Sequence, residues 1–323
     1  MNLEKTKKFV SVYLSWFIVL AEFAIFTYMS VAFGAGTFGT WRNIMTITRQ
    51  VAVTATMAFG MCYVMLSGHM DLSVGSTVSI TGVVVAICYS SGHLPMGVCV
   101  LAGLFVGLLI GFLNGIIITR TKMPPIIGTI GMQQVVAGVA LLITNGQPIY
   151  DMGNDWKWIA QSNVFDVIPT PLIFVAIIGV ITIFVLTKTY FGRRIYACGS
   201  NEEAARLSGI KTDRIHIATY MISGVFSAVA GILLMSRVNS GQPTGGTGLE
   251  MDVLTALVVG GISFSGGQGK IINVISGSLV IGVLTNGLVN VGASEFWQKV
   301  IKGLVLLLAV GLDAWQHRKK SST

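Results

Sequence analysis

Long apolar blocks separated by short polar joints run through the whole chain, and that pattern leaves few folds open. A backbone surrounded by lipid must satisfy its own N–H and C=O groups, and within a single segment only a helix does so. Of 323 residues, 53% are hydrophobic and 11% are charged, roughly half the charged share of a soluble domain. The 39 glycines suit helices that pack closely inside a bilayer. The expected fold is all-α: a polytopic transmembrane bundle forming one integral membrane domain over residues 1–323.

The net charge of +8 does not indicate a nucleic-acid partner, because the basic residues fall between apolar blocks rather than on one face with interleaved aromatics. Cys62, Cys88, Cys99 and Cys198 show no C-x-x-C spacing, so no metal site or disulfide framework is indicated. The first block, about Phe9 to Phe33, is too long for a signal peptide and reads as a retained anchor helix.

Ten spans are expected, beginning near Phe9, Thr46, Val74, Met96, Pro125, Thr170, Ile215, Asp252, Ile271 and Phe296, the eighth being short. With the N-terminus inside, Lys5, Lys7, Lys8, Arg120, Lys122, Lys188, Arg193, Arg194, Arg206, Lys211, Arg214, Lys270, Arg318, Lys319 and Lys320 face the cytoplasm, 15 of the 21 basic residues. Arg42, Arg49, Lys157, Arg237, Lys299 and Lys302 are left outside. The large outer loop from Asn145 to Pro169 carries Asp151, Asp155 and Asp166, with Trp156 and Trp158 as interfacial anchors. Both termini are therefore expected in the cytoplasm.

Two echoes suggest inverted halves, about 46–145 and 215–314. Leu113-Asn114-Gly115 is matched by Thr285-Asn286-Gly287, and Gln133 to Gly138 by Gln298 to Gly303, each pair five spans apart. In the fourth span, Gly103, Gly107, Gly111 and Gly115 line one face and allow a neighbouring backbone to come close.

The segment 188–214 is the largest cytoplasmic stretch. Asn201 reads as a helix N-cap, Glu202 and Glu203 as a first turn favoured by the dipole, and Gly209 as the stop. A short helix of Ala204, Ala205, Arg206, Leu207 and Ser208, held between two spans, suits a mechanical contact; the plainer reading is a solvated turn. The chain has no phosphate-binding loop. Around Gly266-Gly267-Gln268-Gly269-Lys270, Phe264 stands where the first glycine belongs and Ile271 where the hydroxyl residue belongs.

Several stretches together resemble permeases of bacterial ATP-binding-cassette importers of the ribose, xylose and galactoside type, related more distantly to branched-chain amino-acid permeases. They are Ser67-Gly68-His69-Met70-Asp71-Leu72-Ser73-Val74-Gly75-Ser76, Phe191 to Ala197, Asn201 to Ile210, Val258 to Ser263 with Gly266 to Gly269, Asn286-Gly287, Trp297-Gln298 and Lys302-Gly303. His69-Met70 departs from a more usual Gly-Ile, which bears on the substrate rather than the family. The resemblance implies the vitamin B12-importer-like (type II) fold, separate ATPase subunits holding ATP–Mg, a periplasmic or lipid-anchored binding protein and a second permease copy in the inner membrane. This chain itself is expected to bind no cofactor and to catalyse no reaction; Asn201 to Gly209 would receive the ATPase.

Pathway candidates are Asp71, Asn114, Gln133, Asn286 and Asn290, because sugars need amide and carboxylate partners in an apolar wall. Each serves equally well as interhelical glue, and Asp71 or Ser73 reads first as the N-cap of the third span, a role compatible with the pathway. An ion-coupled transporter would need several mid-membrane acids, and only Glu22 is central. A nucleoside, autoinducer sugar or amino acid remains open as the solute.

Overall fold

The computed structural model describes residues 3–33, 36–150 and 152–321, with side chains described outside 3–13 and 315–321. Asp151 and the side chains of Lys5, Lys7, Lys8, Arg318, Lys319 and Lys320 lie outside the described set. The helices are α1 (Leu3–Phe33), α2 (Trp41–Leu66), α3 (Val74–Ser90), α4 (Met96–Thr121), α5 (Pro125–Thr144), α6 (Lys157–Ala160), α7 (Thr170–Lys188), α8 (Tyr190–Ser200), α9 (Glu202–Leu207), α10 (Thr212–Val238), α11 (Leu249–Val259), α12 (Asn273–Asn290) and α13 (Glu295–Ser321). A two-stranded antiparallel ribbon, β1 (Asn163–Val164) with β2 (Ile168–Pro169), joins α6 to α7.

A helix stands at each of the ten expected positions, but not all of them suffice to cross a bilayer. Among the described residues, seven are long and apolar enough: α1 from Leu14, α2, α4, α5, α7, α10 and α12. α3 has 17 residues and α11 only 11, and at 1.5 Å per residue α11 spans about half the hydrocarbon thickness. α13 has the length, but Glu295, Lys299 and Lys302 occupy its first turns. Helix ends follow local chemistry. α4 stops where Lys122 turns left-handed (φ 55°), and Pro125 then opens α5 where a missing N–H costs nothing.

α10 is the axis of the bundle, packed along α4, α2 and α3. The α4 glycine ladder makes the closest of these crossings. A Cβ on Gly111 would overlap the carbonyl oxygen of Tyr220, and one on Gly107 that of Gly224. Elsewhere α3 packs on α4 and α5, α11 packs on α12 and α13, and α2 crosses α12 and α11. Large apolar side chains such as Leu101, Phe105, Leu142, Val180, Phe184 and Leu307 point outward, while the interior of α10 holds Ser223, Ser227 and Ser236 fully buried. That inside-out distribution is what a bilayer selects.

Ser15 on α1 lies 2.7 Å from Ser276 at the start of α12, and Asp313 on α13 accepts from Phe264 N at 3.2 Å. The start of α1 and the end of α13 therefore share the end of the bundle that carries α8 and α9. α6 and the ribbon cover the opposite end. There Arg49, counted above on the outer side, donates to Gln161 O (2.9 Å) and Asn163 Oδ1 (2.7 Å) and pins the covering segment. Trp156 is not an interfacial anchor: it is fully buried, edge-on to Tyr89 at 5.6 Å. Trp158 is exposed, as a belt residue should be.

Replacing Gly107 by leucine puts a side chain where the α10 backbone runs, and neither backbone has a rotamer with which to yield. The expected cost is about 3 kcal/mol or more, read as a lowered midpoint of thermal unfolding in detergent; an unchanged midpoint contradicts the crossing.

Candidate functional site

The polar residues singled out above fall into three interior groups and one surface helix. The first group surrounds Asp71, which is 2% exposed. Beyond Leu66 the chain turns back and climbs beside α10: Tyr220 Oη donates to Met70 O at 3.0 Å, and Ser223 Oγ donates to Asp71 Oδ2 at 2.9 Å. Asp71 thus sits level with the twelfth residue of α10, well inside the bundle rather than at its end. Its Oδ1 accepts from Ser73 N (3.1 Å) and Ser73 Oγ (2.6 Å), and Asn114 Nδ2 donates to Ser73 Oγ (2.7 Å). Ser73 is the N-cap of α3 but makes no side-chain cap bond. Asp71 acts as an Asx turn, one step earlier than the capping arrangement expected from sequence. It ties α3, α4 and α10 together.

The second group is built on the N-terminus of α11. Residues 240–248 fold into the bundle along α3: Gly241 lies against Ala86, and Gly246 N donates to Ser79 Oγ at 2.8 Å. Two turns of α3 separate those contacts, a descent of about 10 Å. α11 therefore begins in the interior and places Glu250 and Asp252 in its first turn, where the dipole favours anions. Gln133 Nε2 on α5 donates to Glu250 Oε1 at 2.9 Å, and Lys302 Nζ on α13 pairs with Asp252 Oδ2 at 2.8 Å. Eight residues into α13, Lys302 is paired and mostly buried. Beside this pair is a cavity of about 80 Å³ between α2, α10, α11 and α12, with Gln50, Thr54, Arg237, Asp252 and Thr285 on its wall. Arg237 likewise faces this cavity rather than a loop.

The third group lies at the end opposite α9. Asn43 Nδ2 and Asn290 Nδ2 both donate to Asn286 Oδ1 (2.8 and 2.9 Å), and Thr37 Oγ1 donates to Asn290 Oδ1 (2.9 Å). These amides join α2 to α12 and close on one another. Of the five pathway candidates, then, Asp71 and Asn114 meet, Asn286 and Asn290 meet, and Gln133 stands apart with Glu250.

The surface helix is α9. Asn201 caps it, its Oδ1 accepting from Ala204 N at 2.9 Å, and Gly209 ends it in the left-handed region (φ 83°). Ala205 is buried against the bundle, while Arg206 and Leu207 project, Leu207 being 84% exposed. Sequence reading missed α8 before it, capped by Thr189, which accepts from Gly192 N at 3.2 Å. The signal was there in the 3–4 spacing of Phe191, Ile195 and Cys198, but Gly192 and Gly199 obscured it. Gly199 is needed because α8 meets the end of α2 and the 263–269 loop backbone to backbone: its Cβ would strike Leu66 O and Gly267 N.

Glu202 points back from α9 to α10, its Oε1 3.7 Å from His216 Nε2. Burial alone would raise the Glu202 carboxyl, but His216, Thr212 and Arg206 around it hold it below its ordinary value. His69 stacks on His216 with ring centroids 3.7 Å apart.

Residues 43–310 match the family described as "Branched-chain amino acid transport system / permease component". The chain belongs to that family. The permease is 43% identical over 281 residues to the ribose import permease protein of Bacillus subtilis (strain 168), covering 87% of this chain and 86% of the relative. It is 38% identical to the ribose import permease protein of Escherichia coli (strain K12), with 85% and 87% covered. It is 31% identical to the xylose transport system permease protein of the same strain, with 88% of each covered. No solved structure matches it significantly.

Two substitutions test the interior groups. Asp71→Ala strands the hydroxyls of Ser73 and Ser223, with an expected loss on the order of 2–4 kcal/mol in unfolding free energy. Lys302→Met leaves Asp252 unpaired and is expected to cost about 3 kcal/mol, whereas the double variant Lys302→Met/Asp252→Leu recovers most of that. Additive losses in the double variant rule out the pair.

Proposed function

We propose that the chain is the membrane-spanning subunit of an ATP-driven importer for a pentose-like monosaccharide, working by alternating access. The observation that carries this reading is the similarity, over nearly nine-tenths of the chain, to ribose import permeases, with a xylose permease at lower identity. ATP–Mg belongs to separate ATPase subunits in this reading, and no cofactor to this chain. A binding protein delivers the sugar on the opposite side, and a second permease copy completes the pathway.

The orientation places the α8–α9 end, with both chain ends, in the cytoplasm, as the excess of lysine and arginine on that side favours. All ten helices at the expected positions then cross or partly cross the inner membrane, α3 and α11 as partial spans whose missing length is supplied by the 67–73 and 240–248 segments. Such broken helices are tolerated where they line a cavity inside the protein. The halves 46–145 and 215–314 are read as inverted repeats of the type II importer fold. Supporting this, α2, α3, α4 and α5 pack among themselves and across the bundle much as α10, α11, α12 and α13 do.

In this mechanism α9 receives the ATPase through Arg206 and Leu207, and Ala205 passes the displacement to α10. The solute route runs past the interior N-terminus of α11, where Asp252, Arg237, Gln50 and Thr285 offer hydroxyl partners beside the 80 Å³ cavity. At about 80 Å³ the cavity is small beside ligand pockets of about 300 Å³ or more, so translocation in this reading requires it to widen. Asn286 and Asn290, already satisfied by each other, act as fasteners.

The test is sugar uptake into vesicles carrying the permease with its ATPase and binding protein. Arg206→Glu/Leu207→Asp is expected to reduce ATP-dependent ribose uptake more than tenfold while membrane insertion stays normal. Undiminished uptake removes α9 from the coupling role, and ATP-independent uptake by this chain alone overturns the importer reading.

A further inference from the structure

Behind α9 three side chains able to ligate a metal converge, Glu202 accepting from Arg206. One ligand atom each from His69, Glu202 and His216 lies within 4.8 Å of the others. His216 is 2% exposed and its Nε2 is buried with no hydrogen-bond partner. Its Nδ1 lies 3.3 Å from Ser67 Oγ, whose proton is committed to Val64 O at 2.8 Å. Ser67 can then only accept, so the His216 proton sits on Nδ1 and Nε2 keeps its lone pair. The same logic holds for His69. Tyr220 Oη, committed to Met70 O at 3.0 Å, lies 3.5 Å from His69 Nδ1, which leaves His69 Nε2 bare.

Two hydroxyls thus set both tautomers, as outer partners do for metal-binding histidines. Glu202 Oε1 lies 3.7 Å from His216 Nε2, a few tenths of an ångström wider than the bite of two ligands on a tetrahedral ion at ~2.0–2.1 Å. The group opens on a recess of about 350 Å³ shared with Arg206 and Asp213, which gives an ion access from the α9 face.

We propose that His69, Glu202 and His216 form a binding site for a divalent transition ion of the zinc class, clamping α9 to α10 and to the 67–73 segment. Two imidazoles and one carboxylate suit zinc, nickel or copper rather than magnesium or calcium. The His69 and His216 rings are parallel to within 3°, so their in-plane lone pairs do not meet at one point. Binding therefore turns His69 out of the stack. Arg206, whose guanidinium is 3.1 Å from Glu202 Oε1, is the competing cation and must swing away, which its exposure allows.

The test is Zn²⁺ titration of the purified full chain in detergent, with a chelating indicator to read free metal and Co²⁺ visible absorption to report coordination. One Zn²⁺ per chain is expected, with no response to Mg²⁺. His69→Gln and Glu202→Gln, both partly exposed sites, each weaken binding at least tenfold, while Arg206→Gln tightens it. Glu295→Gln, an exposed acid on α13, serves as the control and leaves it unchanged. Helical circular dichroism confirms that each variant is folded. Absent Zn²⁺ binding, or equal affinity in the His69→Gln and Glu202→Gln variants, overturns the proposal.

Discussion

The crossing of α4 and α10 is the constraint on which the rest of the bundle depends. In lipid, apolar surface has no reason to leave its surroundings, so helices associate through close packing and polar contacts. Gly107 and Gly111 supply the closeness by letting two backbones touch. With α10 drawn that near, the short hydroxyls of Ser223 and Tyr220 reach the 67–73 segment. That segment in turn fixes where α3 begins. Larger residues on α4 would move α10 outward and leave Asp71 without the bonds that make its burial tolerable.

Much of this was legible in the sequence. Apolar blocks gave the helix positions, because a backbone in lipid has almost no alternative to a helix. Pro125, Asn201 and Gly209 marked ends, because their preferences are local. What escaped was whatever depends on distant packing. The 240–248 segment reads as an ordinary polar loop, and only its fit against Ser79 and Ala86 shows that it enters the bundle. Lys302 and Arg237 were counted on the outer side by charge alone, although Lys302 pairs with Asp252, 50 residues away, and Arg237 faces a cavity walled also by Gln50 and Thr285. Trp156 looked like a belt residue until the fold buried it edge-on against Tyr89. The Asp71 network joins the 67–73 segment to α4 and α10, and no spacing rule links 71, 114 and 223.

The interior groups also differ in what they leave free. The amides of Asn43, Asn286 and Asn290 satisfy one another and leave little for a solute. Asp71 is saturated by serines. Around α11, by contrast, polar side chains face a cavity. Residues chosen for their chemistry alone cannot be sorted in this way, because an asparagine that binds a neighbour and one that binds a solute are the same letter. His69 adds a second imidazole behind α9, stacked on that of His216.

At the junction of α8 with the end of α2, the contacting atoms belong to backbone: Gly199 against Leu66 O, Gly267 N donating to Leu66 O at 3.0 Å, and Gly68 beside Gly266. Side chains between two elements act as a cushion, since a rotamer change absorbs a small shift before either element moves. Here nothing of that kind intervenes. The joint has the stiffness of the peptide group itself, so α8 and the foot of α2 behave as a single lever, and a displacement of an ångström at one is a displacement of an ångström at the other.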